Sequence, residues 1–172
     1  NATIACLDES GFMLQPLVRR SWAPCGQTPI IRCWDRRDRL SVIGAITVPA
    51  GALRTRTCPP RPHRLGAVFR IHTRNIKTPE AAEFLRALDR QVRGPLIVVQ
   101  DRLNVHKAAT RRWLAGRRKD DPRVMVEWLP PYAPDLNPAE QLWNHGKRVD
   151  LANLAPADRE DLDFVKMKVT GF

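Results

Sequence analysis

The segment PLIVVQD, residues 95–101, constrains the fold of this chain more than any other. Its apolar side chains lack the polar alternation of a strand with one face in water, so both faces of this strand must be covered. Such a strand is typical of the centre of a sheet on which helices pack. The segment ends in Asp101. We therefore expect a layered α/β fold in which this carboxylate lies at the end of a central strand.

The remaining elements follow from composition and from the spacing of apolar residues. Further strands are predicted at 3–8, 39–48, 66–72 and 123–129, and helices at 78–92, 105–119 and 138–151. Strands fill the first half and helices then alternate with strands, which predicts a mixed central β-sheet flanked by helices. With 172 residues, of which 43% are hydrophobic, the chain suits one domain with a sizeable core.

Positive charge is concentrated in the first half of the chain. The sequence has 29 Lys and Arg against 18 Asp and Glu, a formal net charge of +11, and residues 1–77 hold 13 basic but only four acidic side chains. Much of this excess lies in segments 18–29 and 49–64, which are rich in proline, glycine and arginine and are predicted to be loops. The surplus favours a polyanionic partner, with a merely basic surface as the alternative.

Two protein classes are disfavoured by the sequence. No apolar run approaches the roughly 20 residues of a membrane span, and the first residues lack the layout of a secretory signal, so we expect a cytoplasmic protein without membrane contact. The four cysteines, at 6, 25, 33 and 58, form no C-x-x-C pair. We interpret them as reduced thiols rather than as metal ligands or a disulfide framework.

Three carboxylates occur at predicted element ends: Asp8 at the end of the first strand, Asp101 after the apolar strand, and Glu140 at the start of the last helix. Strand ends in α/β proteins gather ligands at one edge of the sheet. Converging carboxylates require raised pKa values or bound cations, and oxygen ligands without a His or Cys cluster select Mg²⁺ or Mn²⁺. Two such ions about 4 Å apart activate a water and stabilise the leaving oxygen of a phosphodiester.

Two of these assignments have alternatives in the sequence. The stretch Asn137-Pro138-Ala139-Glu140 has the pattern of a helix start with an Asn cap, so Glu140 could serve only the helix start or could also reach the site. Glu9 follows Asp8 directly, and adjacent strand residues point to opposite faces of a sheet. Only one of the two is therefore expected to face Asp101, and we assign Asp8 to that face.

Three blocks of the sequence resemble the catalytic blocks of the mariner-like DDE transposases, in particular those of bacterial insertion sequences. The blocks are LDESGF, VVQDRLNVHKA and LPPYAPDLNPAEQLW, and the similarity runs from residue 2 to about residue 154. It implies a ribonuclease H-like DDE catalytic domain over 1–154, followed by a short C-terminal tail over 155–172. It also implies that Asp8, Asp101 and Glu140 form the catalytic triad and bind Mg²⁺ or Mn²⁺, with two ions in the active complex.

The resemblance further implies metal-dependent phosphodiester hydrolysis and strand transfer at the ends of an insertion element. Double-stranded DNA would be the partner, with a homodimer forming on DNA at the bacterial nucleoid. The residues expected to support the carboxylates are Asn104, His106 and Asn137, although plain packing at a helix start is the alternative for the first two. The arginines assigned to the DNA-facing surface are Arg19, Arg20, Arg36, Arg37 and Arg39.

Departures from the family pattern keep other interpretations open. No helix-turn-helix pattern precedes Asp8, and Arg102 stands where the family commonly has Asn. A truncated, catalytically inactive DNA-binding remnant of a transposase is therefore an alternative. A different ribonuclease H-like nuclease, such as a resolvase, is a weaker one, because the proline-rich block argues against it. Without an element that enters the major groove, we expect weak DNA binding with little sequence preference.

Overall fold

A computed structural model of the chain describes residues 2–13, 17–30, 39–49, 65–118, 121–131 and 133–153. Within these ranges the elements are β1 (Thr3–Met13), β2 (Arg39–Val48), β3 (Gly66–His72), α1 (Thr78–Gln91), β4 (Leu96–Gln100), α2 (Asn104–Leu114), β5 (Val124–Trp128) and α3 (Pro138–His145). A 3-10 turn, Pro134–Leu136, precedes α3, and a π-helical turn, Gly146–Asp150, follows it. None of the helices in the described ranges has the length and apolar character that crossing a membrane requires.

The strands form a mixed five-stranded sheet in the order β3-β2-β1-β4-β5. β1, β2 and β3 pair antiparallel, whereas β4 pairs parallel with β1 on one side and with β5 on the other. The parallel strands are connected by helical crossovers, as parallel pairing requires. The predicted mixed sheet flanked by helices is therefore confirmed.

The apolar strand β4 lies inside the sheet, as its sequence predicts. Leu96 and Val98 are fully buried and pack in the main core with side chains of α1 and α2, among them Phe84 and Leu88. The expectation that both faces of β4 are covered is wrong for the second face, which is only half-buried because α3 packs on β1 and β2 instead. The position of this strand places the residue that follows it, Asp101, at the edge where the parallel strands end.

The strand β1 is longer than predicted, and this corrects the position of Asp8. The sequence places Asp8 at the end of the first strand, whereas β1 continues to Met13. The parallel ladder with β4 ends at Cys6 and Val99, but the antiparallel ladder with β2 continues and sets Asp8 opposite Gly44. The long partner strand supplies the hydrogen bonds that keep β1 extended. Asp8 is a mid-strand residue that lies beyond the last residue of β1 paired with β4.

The helix α2 ends five residues earlier than predicted, and a buried carboxylate accounts for this. Asp89 in α1 accepts a hydrogen bond from Trp113 Nε1 at 3.2 Å and pairs with the guanidinium groups of Arg117 and Arg123. These contacts draw the chain after α2 back towards α1. The backbone N–H of Gly116 donates to the carbonyl of Trp113 in a tighter turn, which closes the helix.

The helix α3 is fixed on the opposite face of the sheet by one aromatic side chain. Trp143 is buried in a second, smaller core with Phe12, Leu40 and Val42, and its ring meets that of Phe12 edge to face, with centroids 6.4 Å apart. The indole lies directly over Gly44, the partner of Asp8 in the sheet. A residue without a side chain is needed there because the ring occupies the space that a Cβ would fill.

We predict that Gly44→Ala destabilises the protein by about 1–3 kcal/mol, because overpacking forces the surrounding groups to shift. A Cβ at this position would lie 2.8 Å from Cη2 of Trp143 and 3.2 Å from Cβ of Phe69. Gly11→Ala in β1 is the matched control, since nothing lies within 4 Å of its Cβ. Urea unfolding measures both variants, and equal stability of the two would contradict this account of how α3 is seated.

Candidate active site

The three predicted carboxylates come from three elements that meet at one edge of the sheet. Asp8 lies in β1, Asp101 directly follows β4, and Glu140 lies in the first turn of α3. Burial raises the pKa of Asp8 to about 6, the backbone N–H of Glu9 opposes this shift, and the negative charges of Glu140 and Asp101 add to it. Each of the other two carboxylates is thus close enough to Asp8 to raise its pKa.

Asn137 links the start of α3 to β1 beside Asp8. Its buried side chain caps the helix by accepting a hydrogen bond from the backbone N–H of Ala139 at 3.2 Å, as the sequence predicts. The same side chain donates from Nδ2 to the carbonyl oxygen of Leu7 at 3.0 Å. Glu140 is therefore a first-turn residue of α3 and also a neighbour of Asp8, so the two readings of its role are compatible.

Asp101 is held by α2 on the other face of the sheet. Its Oδ1 accepts a hydrogen bond from the backbone N–H of Leu103 at 3.1 Å and contacts Nδ1 of His106. The second ring nitrogen, Nε2, lies 3.2 Å from Oε1 of Glu9. Burial lowers the pKa of His106, but its hydrogen bonds with the two carboxylates outweigh burial and raise the pKa to about 9. Burial raises the pKa of Asp101, but the hydrogen bond and charge of His106 and the backbone N–H of Leu103 together outweigh burial and lower it.

The contact of Glu9 corrects the expectation that only Asp8 lies on the Asp101 side. The two residues do point to opposite faces of β1. Asp101, however, lies beyond the end of β4, where both faces of β1 are within reach of the sheet edge. Asp8 interacts with Asp101 electrostatically, and Glu9 reaches the same residue through the ring of His106.

Lys147 is a further electrostatic neighbour of Asp8 and Glu140, and it is not among the residues predicted from the sequence. It lies in the π-helical turn after α3, and its Nζ lies 5.5 Å from the centroid of the Phe12 ring. Burial lowers its pKa, while the charges of Asp8 and Glu140 act in the opposite direction. Its spacing of seven residues from Glu140, two helical turns, is the signal that places both on one side of the helix.

The remaining predicted residues do not join this group. Asn104 is exposed at the start of α2, and its side chain makes no hydrogen bond with any described residue. Arg19 and Arg20 are exposed in segment 17–30, where the backbone N–H of Arg19 donates to Oδ1 of Asn153 at 2.8 Å. Two arginines, Arg36 and Arg37, lie outside the described residues, as do the side chain of Arg39 and the predicted tail 155–172.

The donor chemistry of the site fits a hard divalent cation. The three carboxylates offer only oxygen, the ligand that Mg²⁺ and Mn²⁺ prefer. Asp8 is half-buried and the negative charges of Glu140 and Asp101 add to the rise of its pKa, so a bound cation would offset the cost of ionising it. Among the described residues, however, no group of three or more His, Cys, Asp or Glu is already arranged to hold a metal ion. The carboxylates are electrostatic neighbours without forming a closed ligand cage.

Comparison with known proteins identifies relatives of this architecture. A family model described as DDE superfamily endonuclease matches residues 3–61 and 62–163. The sequence matches no curated protein. Among solved structures, the Mos1 strand transfer complex has a TM-score of 0.61 and 17% identity over 96% of this chain. The Mos1 transposase paired-end complex with the left transposon end has a TM-score of 0.63 and 16% identity over 98%.

A third structure, the Mos1 mariner paired end complex with Mn, has a TM-score of 0.63 and 14% identity over 98% of this chain. The chain covers 46 to 48% of the three Mos1 chains, about half of their length. At these identities the likeness establishes the fold. The predicted ribonuclease H-like fold is confirmed, because the catalytic domain of Mos1 transposase has it.

We predict that Asn137→Asp destabilises the protein by about 1–3 kcal/mol, because an oxygen would replace the donor that faces the buried carbonyl of Leu7. The helix cap itself would survive, since Asp is also a good cap residue. Asn144→Asp, at an exposed position of α3, is the matched control. Thermal and urea unfolding compare the two variants, and a loss in Asn137→Asp no larger than in the control would show that the link to β1 contributes nothing.

Proposed function

Because this chain belongs to the DDE superfamily endonucleases, we propose that it is a transposase catalytic domain. In this proposal it hydrolyses phosphodiester bonds at the ends of an insertion element and joins the freed 3′ hydroxyl to target DNA. The observation that supports the proposal is that Glu140 and Asp101, from two other elements, both act electrostatically on Asp8 in β1. Fold similarity to mariner-type transposase complexes supports it.

We propose that the three carboxylates hold Mg²⁺ or Mn²⁺, which when bound would supply positive charge for water activation and for the leaving oxygen. The complex of a structural relative with Mn supports this assignment. Residues of this chain support the proposed ligands: Asn137 fixes the helix that carries Glu140. The ammonium group of Lys147 acts electrostatically on Asp8 and Glu140. A cation at that position is suited to a DNA phosphate near the carboxylates.

We also propose that this chain binds DNA and forms a dimer that pairs two element ends. The similar Mos1 structures, a strand transfer complex and a paired-end complex, support this proposal. The exposed side chains of Arg19 and Arg20 supply phosphate contacts in this proposal, and such contacts weaken with salt through counterion release. A DNA-binding remnant without activity is the second candidate. It is favoured by the lack of a preformed three-ligand metal site among the described residues.

The two candidates differ in Mn²⁺-dependent nicking of supercoiled plasmid. We predict that the wild-type chain nicks DNA and that Glu140→Ala lowers the rate at least about 100-fold, since removal of a metal ligand should cost no less than removal of the groups that support one. Glu127→Ala, an exposed carboxylate on β5, is the control and should retain activity. No nicking by either protein would favour the remnant, whereas equal nicking by both would show that the observed cleavage does not need Glu140 and would contradict the proposed triad.

We also predict that Mn²⁺ raises the melting temperature of the wild-type protein, because an ion that binds only the native state stabilises it by mass action. Asp8→Asn should abolish this shift. In EDTA the same variant should be more stable than wild type, since it removes a half-buried charge that the charges of Glu140 and Asp101 disfavour. Calorimetry with and without Mn²⁺ tests both statements, and an equal metal-dependent shift in Asp8→Asn would exclude Asp8 as a ligand.

A further inference from the structure

We propose that Glu9 is a positioning residue that acts through the His106 ring to orient the carboxylate of Asp101. The inference rests on the proposed function, because it assigns Asp101 a metal-binding role. It adds a residue whose side chain points to the opposite face of β1 from Asp8 and contacts the His106 ring rather than any of the three proposed ligands. The geometry links the two carboxylates to opposite sides of one imidazole.

The hydrogen bonds determine which way the ring is held. Oxygens of ionised carboxylates only accept hydrogen bonds, so a ring that bonds to Asp101 through Nδ1 and to Glu9 through Nε2 must donate from both nitrogens. A ring flip or a rotation about its side-chain bonds would break both contacts. His106 therefore has one favoured orientation, and that orientation requires both carboxylates.

Because the His106 ring is buried, its orientation determines how the Asp101 carboxylate is held. His106 is 1% exposed at the N-terminal end of α2, whereas the side chains of Glu9 and Asp101 are 24% and 39% exposed. The ring is thus the rigid member of the group. Oδ1 of Asp101 is engaged by His106 and by the backbone N–H of Leu103, while Oδ2 accepts from none of the described residues. The two bonds hold one oxygen towards α2 and leave the other available for an ion.

The competing explanation is that Glu9 and His106 simply join β1 to α2. Such a link would affect stability but would not change the carboxylate of Asp101 or its affinity for metal. The His106 ring is buried, but Asp101 still pairs with it when the charge of Glu9 is lost. Loss of the Glu9 charge should therefore leave the fold intact, so that effects on Asp101 are measurable in a folded protein.

Glu9→Gln tests the proposal by nuclear magnetic resonance of metal-free protein labelled in its His rings and Asp carboxyl carbons. We expect the His106 ring nitrogens and the Asp101 carboxyl carbon to shift. In calorimetry, Mn²⁺ affinity should fall about 10-fold, the lower end of the range for groups that support metal ligands. Glu127→Gln is the matched control, a carboxylate on an exposed strand position, and should change neither signal nor the affinity.

A double-mutant cycle separates action through the ring from a direct effect of charge. If Glu9 acts through His106, then Glu9→Gln should cause no further loss of Mn²⁺ affinity in the His106→Phe background. An additive loss would overturn the proposal, and so would an unmoved Asp101 signal or an unchanged affinity in Glu9→Gln. If wild type binds no Mn²⁺ while Glu9→Gln still moves the Asp101 signal, the metal role of the proposed function fails and the coupling of the two carboxylates stands.

Discussion

Mutual repulsion of carboxylates at one edge of the sheet is the constraint on which the rest of the site depends. Asp8 is partly desolvated, and Glu140 and Asp101 both oppose its charge. Groups of like charge separate unless the surrounding structure holds them. The helix cap of Asn137, the ring of His106 and the seat of Trp143 on Gly44 each hold one of the elements that carry these charges. Unfavourable interactions of this kind are common at functional sites, where the surrounding structure maintains them.

The strand β1 connects the two halves of the site because its residues alternate between faces. On the face towards α3, Asp8 has Glu140 and Lys147 as electrostatic neighbours. On the face towards α2, Glu9 meets the ring that holds Asp101. This arrangement requires β1 to extend past the end of β4, since a strand that stopped at Asp8 would carry only one of these carboxylates to the edge. The length of β1 is therefore required for both Asp8 and Glu9 to reach the site.

Several parts of the fold could be predicted because their cause is local. The strands β2 and β3 have the bounds that their composition predicts, and the cap of α3 lies at Asn137 because the bond to Ala139 joins near neighbours in sequence. The end of β1 and the contact of Glu9 could not be predicted in this way. Both depend on partners distant in sequence: the register with β2 for the strand, and His106, 97 residues away, for Glu9.

The sequence by itself determined that this chain is an α/β protein with an internal apolar strand followed by Asp101, since a strand without polar alternation is typical of the inside of a sheet on which helices pack. It also determined the capped start of α3, because backbone groups at a helix end must find partners nearby. Only the tertiary structure determined which face of β1 carries Asp8 and which carries Glu9. Strand length and register are set by pairing with a distant strand, and a shift of one residue would exchange Asp8 and Glu9 between the faces.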